Sequence, residues 1–283
     1  MEACVMTKIS LAILDKNGKV KEEIRKIEES PIPLQVSEKD FVSLSTKNFE
    51  YEEGDQISVQ TDKTGSFLMV KFDETIDTSL VYIPEGNWTY DISFNKNRSE
   101  ARPEQRFIGK HHYLSVRVAT KEEIIGYRNL ALNPHDQKEM SGAYPHAHAN
   151  VETRDDATFF ACNAIDGVYA NNSHGAYPFQ SWGINQQADA ALTIDFGRKV
   201  ELDKVVFTWR ADFPHDSYWT EVTVRFSDGS KETFQTQKTD RPQSFTFSKR
   251  QVTSVTFGEL IQSDDSSPFP ALTQIEFFGC NIL

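Results

Sequence analysis

The sequence predicts an all-β protein built as two β-sandwich (jelly-roll) domains, and three observations carry that expectation. Aromatic residues make up 12% of the chain, with 20 Phe against 4 Met, a balance that suits pleated, half-buried sheets better than helical bundles. Short apolar runs recur with turn residues between them, the rhythm of a sandwich. At 283 residues the chain is also long enough to give each of two units its own core.

Taken in order, residues 8–14 (Lys-Ile-Ser-Leu-Ala-Ile-Leu) read as a strand that turns at Lys16-Asn17-Gly18, a hairpin signal. Residues 19–29 are charge-dense with Val20, Ile24 and Ile27 at helical spacing, which suits a short surface helix or an irregular excursion. Strands are expected around Ile57-Ser-Val59, Phe67 to Phe72, Ser79 to Ile83, Trp88 to Ile92 and Tyr113 to Val118, punctuated by Gly54, Gly65 and Gly86. Residues 95–105 are polar, contain Pro103 and read as a loop. His111 and His112 are adjacent, so in a strand they face opposite ways. Thr120 and Glu123 have capping-box spacing and open a short connecting element. A boundary near Gly126 then divides the chain into an N-terminal sandwich of unknown role, residues 1–126, and a second unit, residues 127–283.

The formal charge is −12 and no basic arm or stripe stands out, which argues against nucleic acid and against an anionic membrane surface as partners. Three cysteines, Cys4, Cys162 and Cys280, lack CxxC spacing and suggest free thiols in a reducing compartment. The acidic start of the chain does not look like a signal peptide. A cytoplasmic location is the resulting expectation.

Chemistry concentrates in the stretch from Thr208 to Trp219, between two β-type runs. This loop of roughly ten residues holds Arg210, Asp212, Phe213, His215, Asp216, Tyr218 and Trp219, where a hairpin loop needs only small turn formers. Fork donors, carboxylates and aromatic faces together suit a polyhydroxylated ligand.

Four further motifs give the second unit a resemblance. Cys162-Asn-Ala-Ile-Asp166-Gly167, Trp182, Leu192-Thr-Ile-Asp-Phe-Gly197 and Ala271-Leu-Thr-Gln274-Ile-Glu-Phe-Phe-Gly279 follow one another as in coagulation-factor 5/8 type C, or discoidin-like, domains. The second unit resembles this family over residues of about 128–280. The family includes many bacterial carbohydrate-binding modules and has the galactose-binding-like sandwich. The resemblance implies carbohydrate held by loops at one end, with Arg210, His174 or His215, and Phe269 at contact positions. It also implies a structural calcium ion, with Asp166 as acidic ligand and Gln274 where a glutamate usually stands. Ala191 replaces a common tryptophan.

Two other readings belong beside carbohydrate binding. His146-Ala-His148, with Glu152 beyond, has two imidazoles on one strand face and could hold a metal or add to the ligand site. Asp212, Asp216 and Glu221 are the carboxylates a sugar-processing enzyme would use. No GxSxG, HExxH, phosphate loop or GxGxxG is present, so nucleophilic, zincin and nucleotide chemistries have no motif. The preferred expectation is non-catalytic carbohydrate binding, with an enzyme or a protein-binding adaptor as alternatives.

Overall fold

The computed structural model describes residues 6–24 and 30–282. The protein is nearly all β and forms two compact units. The first comprises Met1–Asn95, Pro103–Glu123 and Ser141–Ala143, the second Lys96–Arg102, Ile124–Met140 and Tyr144–Leu283. The division is therefore not a single cut near Gly126. Cys4 lies outside the described residues.

In the first unit, two four-stranded antiparallel sheets share one core. One runs in the order Gln35–Lys39, Lys8–Leu14, Gln56–Thr61, Asn87–Asp91, the other Phe41–Ser45, Tyr113–Val118, Ser66–Lys71, Ser79–Ile83. Alternation in the sequence becomes alternation in burial: Ile9, Leu11 and Ile13 point inward from one strand, Leu114 and Val116 from another. The turn at Lys16-Asn17-Gly18 forms, with Gly18 at φ 80° and Leu14 bridged to Val20. The helical spacing that follows misleads. Glu22–Glu23 pairs antiparallel with Ile32–Pro33, and the buried Glu23 carboxylate accepts from Lys47 N at 2.5 Å and Asn48 N at 2.6 Å. Its two backbone partners fix an extended segment there, while Ile27 lies outside the described residues.

The second unit is organised by one hydrogen-bonded sheet in the order Arg128–Asn129, Ala271–Asn281, Leu192–Trp209, Gln243–Gln262, Trp219–Phe226, Lys231–Gln235. The 192–209 strand changes neighbours along its length, pairing first with His146–Ala149 and later with 271–281. Register shifts between residues 195 and 200 and between 202 and 204 absorb the bend. Gly197 sits in the first of these at φ 65°; a Cβ there would lie 2.4 Å from Tyr144 Cγ, so no side chain fits. The core gathers Trp182, Trp209, Trp219, Phe207 and Phe257, with Trp209 edge-to-face on Trp219 at 5.3 Å between centroids. Among the described residues no helix is long and apolar enough to cross a membrane.

Candidate functional site

The 192–209 strand ends at Trp209, and the next residue, Arg210, enters a cleft of about 240 Å³ at one edge of the second unit. Arg210 is 5% exposed. Its Nη2 donates to the carbonyls of His215, at 3.0 Å, and Phe269. Its Nε lies 2.9 Å from Asp212 Oδ1, an ion pair set off the hydrogen-bond line, since neither atom has a hydrogen-bond partner. Asp212 Oδ2 accepts from His174 Nδ1. That bond leaves the Nε2 of His174, a half-exposed ring, available to a ligand. Burial lowers the Arg210 guanidinium from its ordinary value while Asp212 opposes the shift, and an arginine nonetheless stays charged.

Backbone bonds fix the loop that carries these groups. Arg210 N donates to Ala271 O at 3.1 Å, Ala211 N to Asn171 O at 2.7 Å and His215 N to Asp212 O at 2.7 Å. Asn171 Nδ2 also donates to Trp209 O at 2.8 Å. The rings of His174 and His215 meet edge-to-face at 5.2 Å. Arg210 Nη1 is left over: no hydrogen bond is made by it among the described residues.

Much of the remaining lining is apolar. Phe159, Ile184, Phe269 and Pro270 are the apolar part of the lining, with Phe269 43% exposed and its carbonyl bound by Arg210. Gly183 forms part of the lining, and a Cβ there would lie 2.7 Å from Phe159 Cδ1 and 2.9 Å from Thr153 Oγ1. Arg154 spreads over the Phe159 ring at 5.4 Å. Three lining residues have left-handed backbone, Arg154 (φ 58°), Asn185 (φ 48°) and Gln186 (φ 58°), and so does Asp155 (φ 51°) next to Arg154. Asn185 N is anchored on Thr153 Oγ1 at 3.0 Å. Strained backbone concentrated at a cleft marks a place where conformation is over-determined by its surroundings.

The cleft thus brings together Arg210, His174, His215 and Phe269, with Asp212 bracing them from behind. It does not include the other expected contact residues. Trp182 and Trp219 are 0% and 1% exposed; Trp182 Nε1 donates to Val151 O, and both rings pack in the core with no free face. His146 is buried against Asp136, Nδ1 to Oδ1 at 2.8 Å. His148 is exposed, with Nε2 3.2 Å from Asp195 Oδ2. Their rings stack at 5.8 Å, but Glu152, the third member of that pattern, accepts from Ala161 N and faces Lys138. Asp216 pairs with Lys238 and Glu221 with Gln235, and among the described residues no carboxylate lines the cleft. Burial pushes the Cys162 thiol up to about 12, against the pull of Arg102. A thiol so placed is a packing residue.

Thr153, Phe159, Ile184 and the Asn185-Gln186 turn escaped sequence reasoning. Only Asn185 carried a signal, since asparagine tolerates left-handed backbone.

Asp166 and Gln274 meet as the resemblance implies, but not around a cation. Asp166 Oδ2 accepts from Arg102 Nη1 at 3.1 Å and Gln180 Nε2 at 2.7 Å. Oδ1 accepts from Val168 N and Gln274 Nε2, each at 2.9 Å. Gln274 turns its oxygen away, to Gly167 N at 3.0 Å, and its nitrogen also donates to Asn163 O at 2.7 Å. Burial pushes the Asp166 carboxyl up, with Arg102 opposing. Calcium requires converging oxygens; N–H donors, Arg102 among them, surround this carboxylate, so with Arg102 in place the residues do not fit the ion.

No protein-family model matches the sequence, and no curated protein matches it. Solved structures similar to the chain include chitosan-binding module 1 of a chitosanase/glucanase from Paenibacillus sp. IK-5, 20% identical with a TM-score of 0.36 over 53% of this chain and 98% of that one. Two others are a Streptococcus pneumoniae fucose-binding module (16%, 0.37, 53% and 96%) and the family 32 carbohydrate-binding module of Clostridium perfringens NanJ in complex with galactose (16%, 0.36, 47% and 91%).

Proposed function

We propose that the second unit binds carbohydrate in this cleft, and that it does so without turning the sugar over. One observation carries the reading: a buried guanidinium, locked by Asp212 and two carbonyls, has an unused Nη1 donor and lines a cleft together with the aromatic and aliphatic side chains of Phe159, Ile184 and Phe269. Such a pairing matches a sugar, which offers hydroxyl oxygens on its edge and C–H groups on its face. His174 Nε2 supplies an acceptor or donor beside Arg210, and Phe269 supplies the stacking ring. Glycoside hydrolysis would call on an acid and a base, so a test for turnover belongs beside the test for binding.

The test is a glycan array on the full chain, followed by calorimetry with the sugar it returns. His174→Ala, at a half-exposed position, should weaken that sugar about tenfold through loss of one hydrogen bond to an imidazole. Retained affinity in both His174→Ala and Phe269→Ala would move the site elsewhere. Release of reducing sugar from the bound glycan would replace binding by catalysis.

A further inference from the structure

We infer that Arg102 is a built-in cation: its guanidinium stands where a structural calcium ion would, so the second unit holds its fold without the ion. The inference starts from what surrounds the guanidinium. Nη1 faces Asp166 Oδ2 at 3.1 Å, Asn163 Oδ1 at 3.4 Å and the Ala101 carbonyl at 3.4 Å, and Nη2 faces the Asp136 carbonyl at 3.5 Å. One carboxylate, one side-chain amide and two backbone carbonyls are oxygen ligands of the kind a hard cation takes, here gathered on an arginine. Cys162 Sγ also lies 3.6 Å from Nη2.

Burial makes the pairing consequential. The Asp166 and Arg102 side chains are 3% and 14% exposed, so neither charge is left to water. The remaining Asp166 lone pairs are taken by Gln180, Gln274 and Val168 N. Gln274 fits this scheme where a glutamate would not. A second carboxylate would leave excess negative charge beside a monovalent guanidinium, whereas the amide nitrogen donates to Asp166 and its oxygen accepts from Gly167 N.

Arg102 is delivered by an arm that precedes most of the second unit in sequence. The Lys96–Ser99 helix opens it. Tyr177 N donates to Glu100 O at 2.9 Å, and Ala101 packs in a small core with Ala157, Phe160 and Cys162. The guanidinium is thus held by packing as well as by charge, which a diffusible ion cannot be.

The experiment uses the full chain. Wild-type protein should melt at the same temperature in millimolar calcium and in chelator, where a saturating structural ion would shift the midpoint by about 5–10 °C. Arg102→Ala should melt about 10 °C lower in chelator, because Asp166 is left buried and unpaired. Calcium should then recover a large part of that loss. Titration calorimetry should detect calcium binding to Arg102→Ala, none to wild type, and none to Arg102→Ala/Asp166→Asn. If Arg102→Ala does not accumulate as folded protein, Arg102→Gln, neutral and near in shape, takes its place. Calcium stabilisation of wild type overturns the inference. So does an Arg102 variant as stable as wild type, or one that is destabilised and indifferent to calcium.

Discussion

Phe269 and Arg210 face the same cleft with different duties, and substitutions at them should part accordingly. Phe269 is 43% exposed and offers its ring to the cleft, so Phe269→Ala should weaken a bound sugar about tenfold through lost stacking. Its melting temperature should stay close to wild type. Arg210 also ties the carbonyls of His215 and Phe269 to Asp212. Arg210→Lys keeps a charge but loses the planar fork, so calorimetry and thermal melting should both show a loss. A lysine variant as stable as wild type would mean that those ties do not hold the loop. Residue type made Arg210 and His215 legible in the sequence, because they lie in a loop with more chemistry than a turn requires, whereas His174 and Phe269 stood out only through the family resemblance. Depth was not legible: Trp219 begins a strand whose first side chain points inward, and nothing local distinguishes that from a rim position. Arg102 was hidden for another reason, since its partner Asp166 is 64 residues away.

Among the elements, the short helix Lys121–Ile125 shows a local rule surviving intact. Thr120 and Glu123 have capping-box spacing, and the box forms: Thr120 N donates to Glu123 Oε2 at 2.8 Å and Glu123 N to Thr120 Oγ1 at 3.3 Å. Arg117 adds a forked pair to the same carboxylate, at 2.8 and 2.6 Å. Its hydrogen bonds, foremost among the causes, hold the Glu123 carboxyl down at about 2, from an ordinary value of 4.5. The sign follows from linkage. A carboxyl depressed by folding stabilises the protein fully above its unfolded value, and that contribution fades as pH falls from 4.5 towards 2. Glu123→Gln should therefore melt below wild type at neutral pH, with the gap closing across that acid window. A gap that stays constant down to pH 2 would remove ionisation from the explanation. The long strands were less legible than this box. Residues 192–197 and 204–209 read as separate runs, yet bulges around Gly197 and residue 203 join them into one 18-residue strand, because a bulge lets a strand continue where its two-residue period breaks.

For the whole molecule, alternation and turn residues made the all-β class legible, but not the order in which the chain builds its units. A cut near Gly126 follows from the connecting element that Thr120 opens, whereas the second unit takes in Lys96–Arg102 from well before it. Contacts such as Tyr177 N to Glu100 O and Arg102 to Asp166 are long-range and leave no periodic trace. A fragment beginning at Tyr127 contains every strand of the large sheet and still lacks the arm. It should lose the Arg102 cation together with the small core around Ala101, and so melt about 10 °C or more below the same unit in the full chain. The near-ultraviolet circular dichroism of Trp182, Trp209 and Trp219, all buried in this unit, reports its packing directly. Calcium should raise the fragment's midpoint as it does that of Arg102→Ala, while a fragment carrying Asp166→Asn should ignore the ion. A fragment from Tyr127 with the stability of the full chain would show that the arm decorates the second unit and does not complete it.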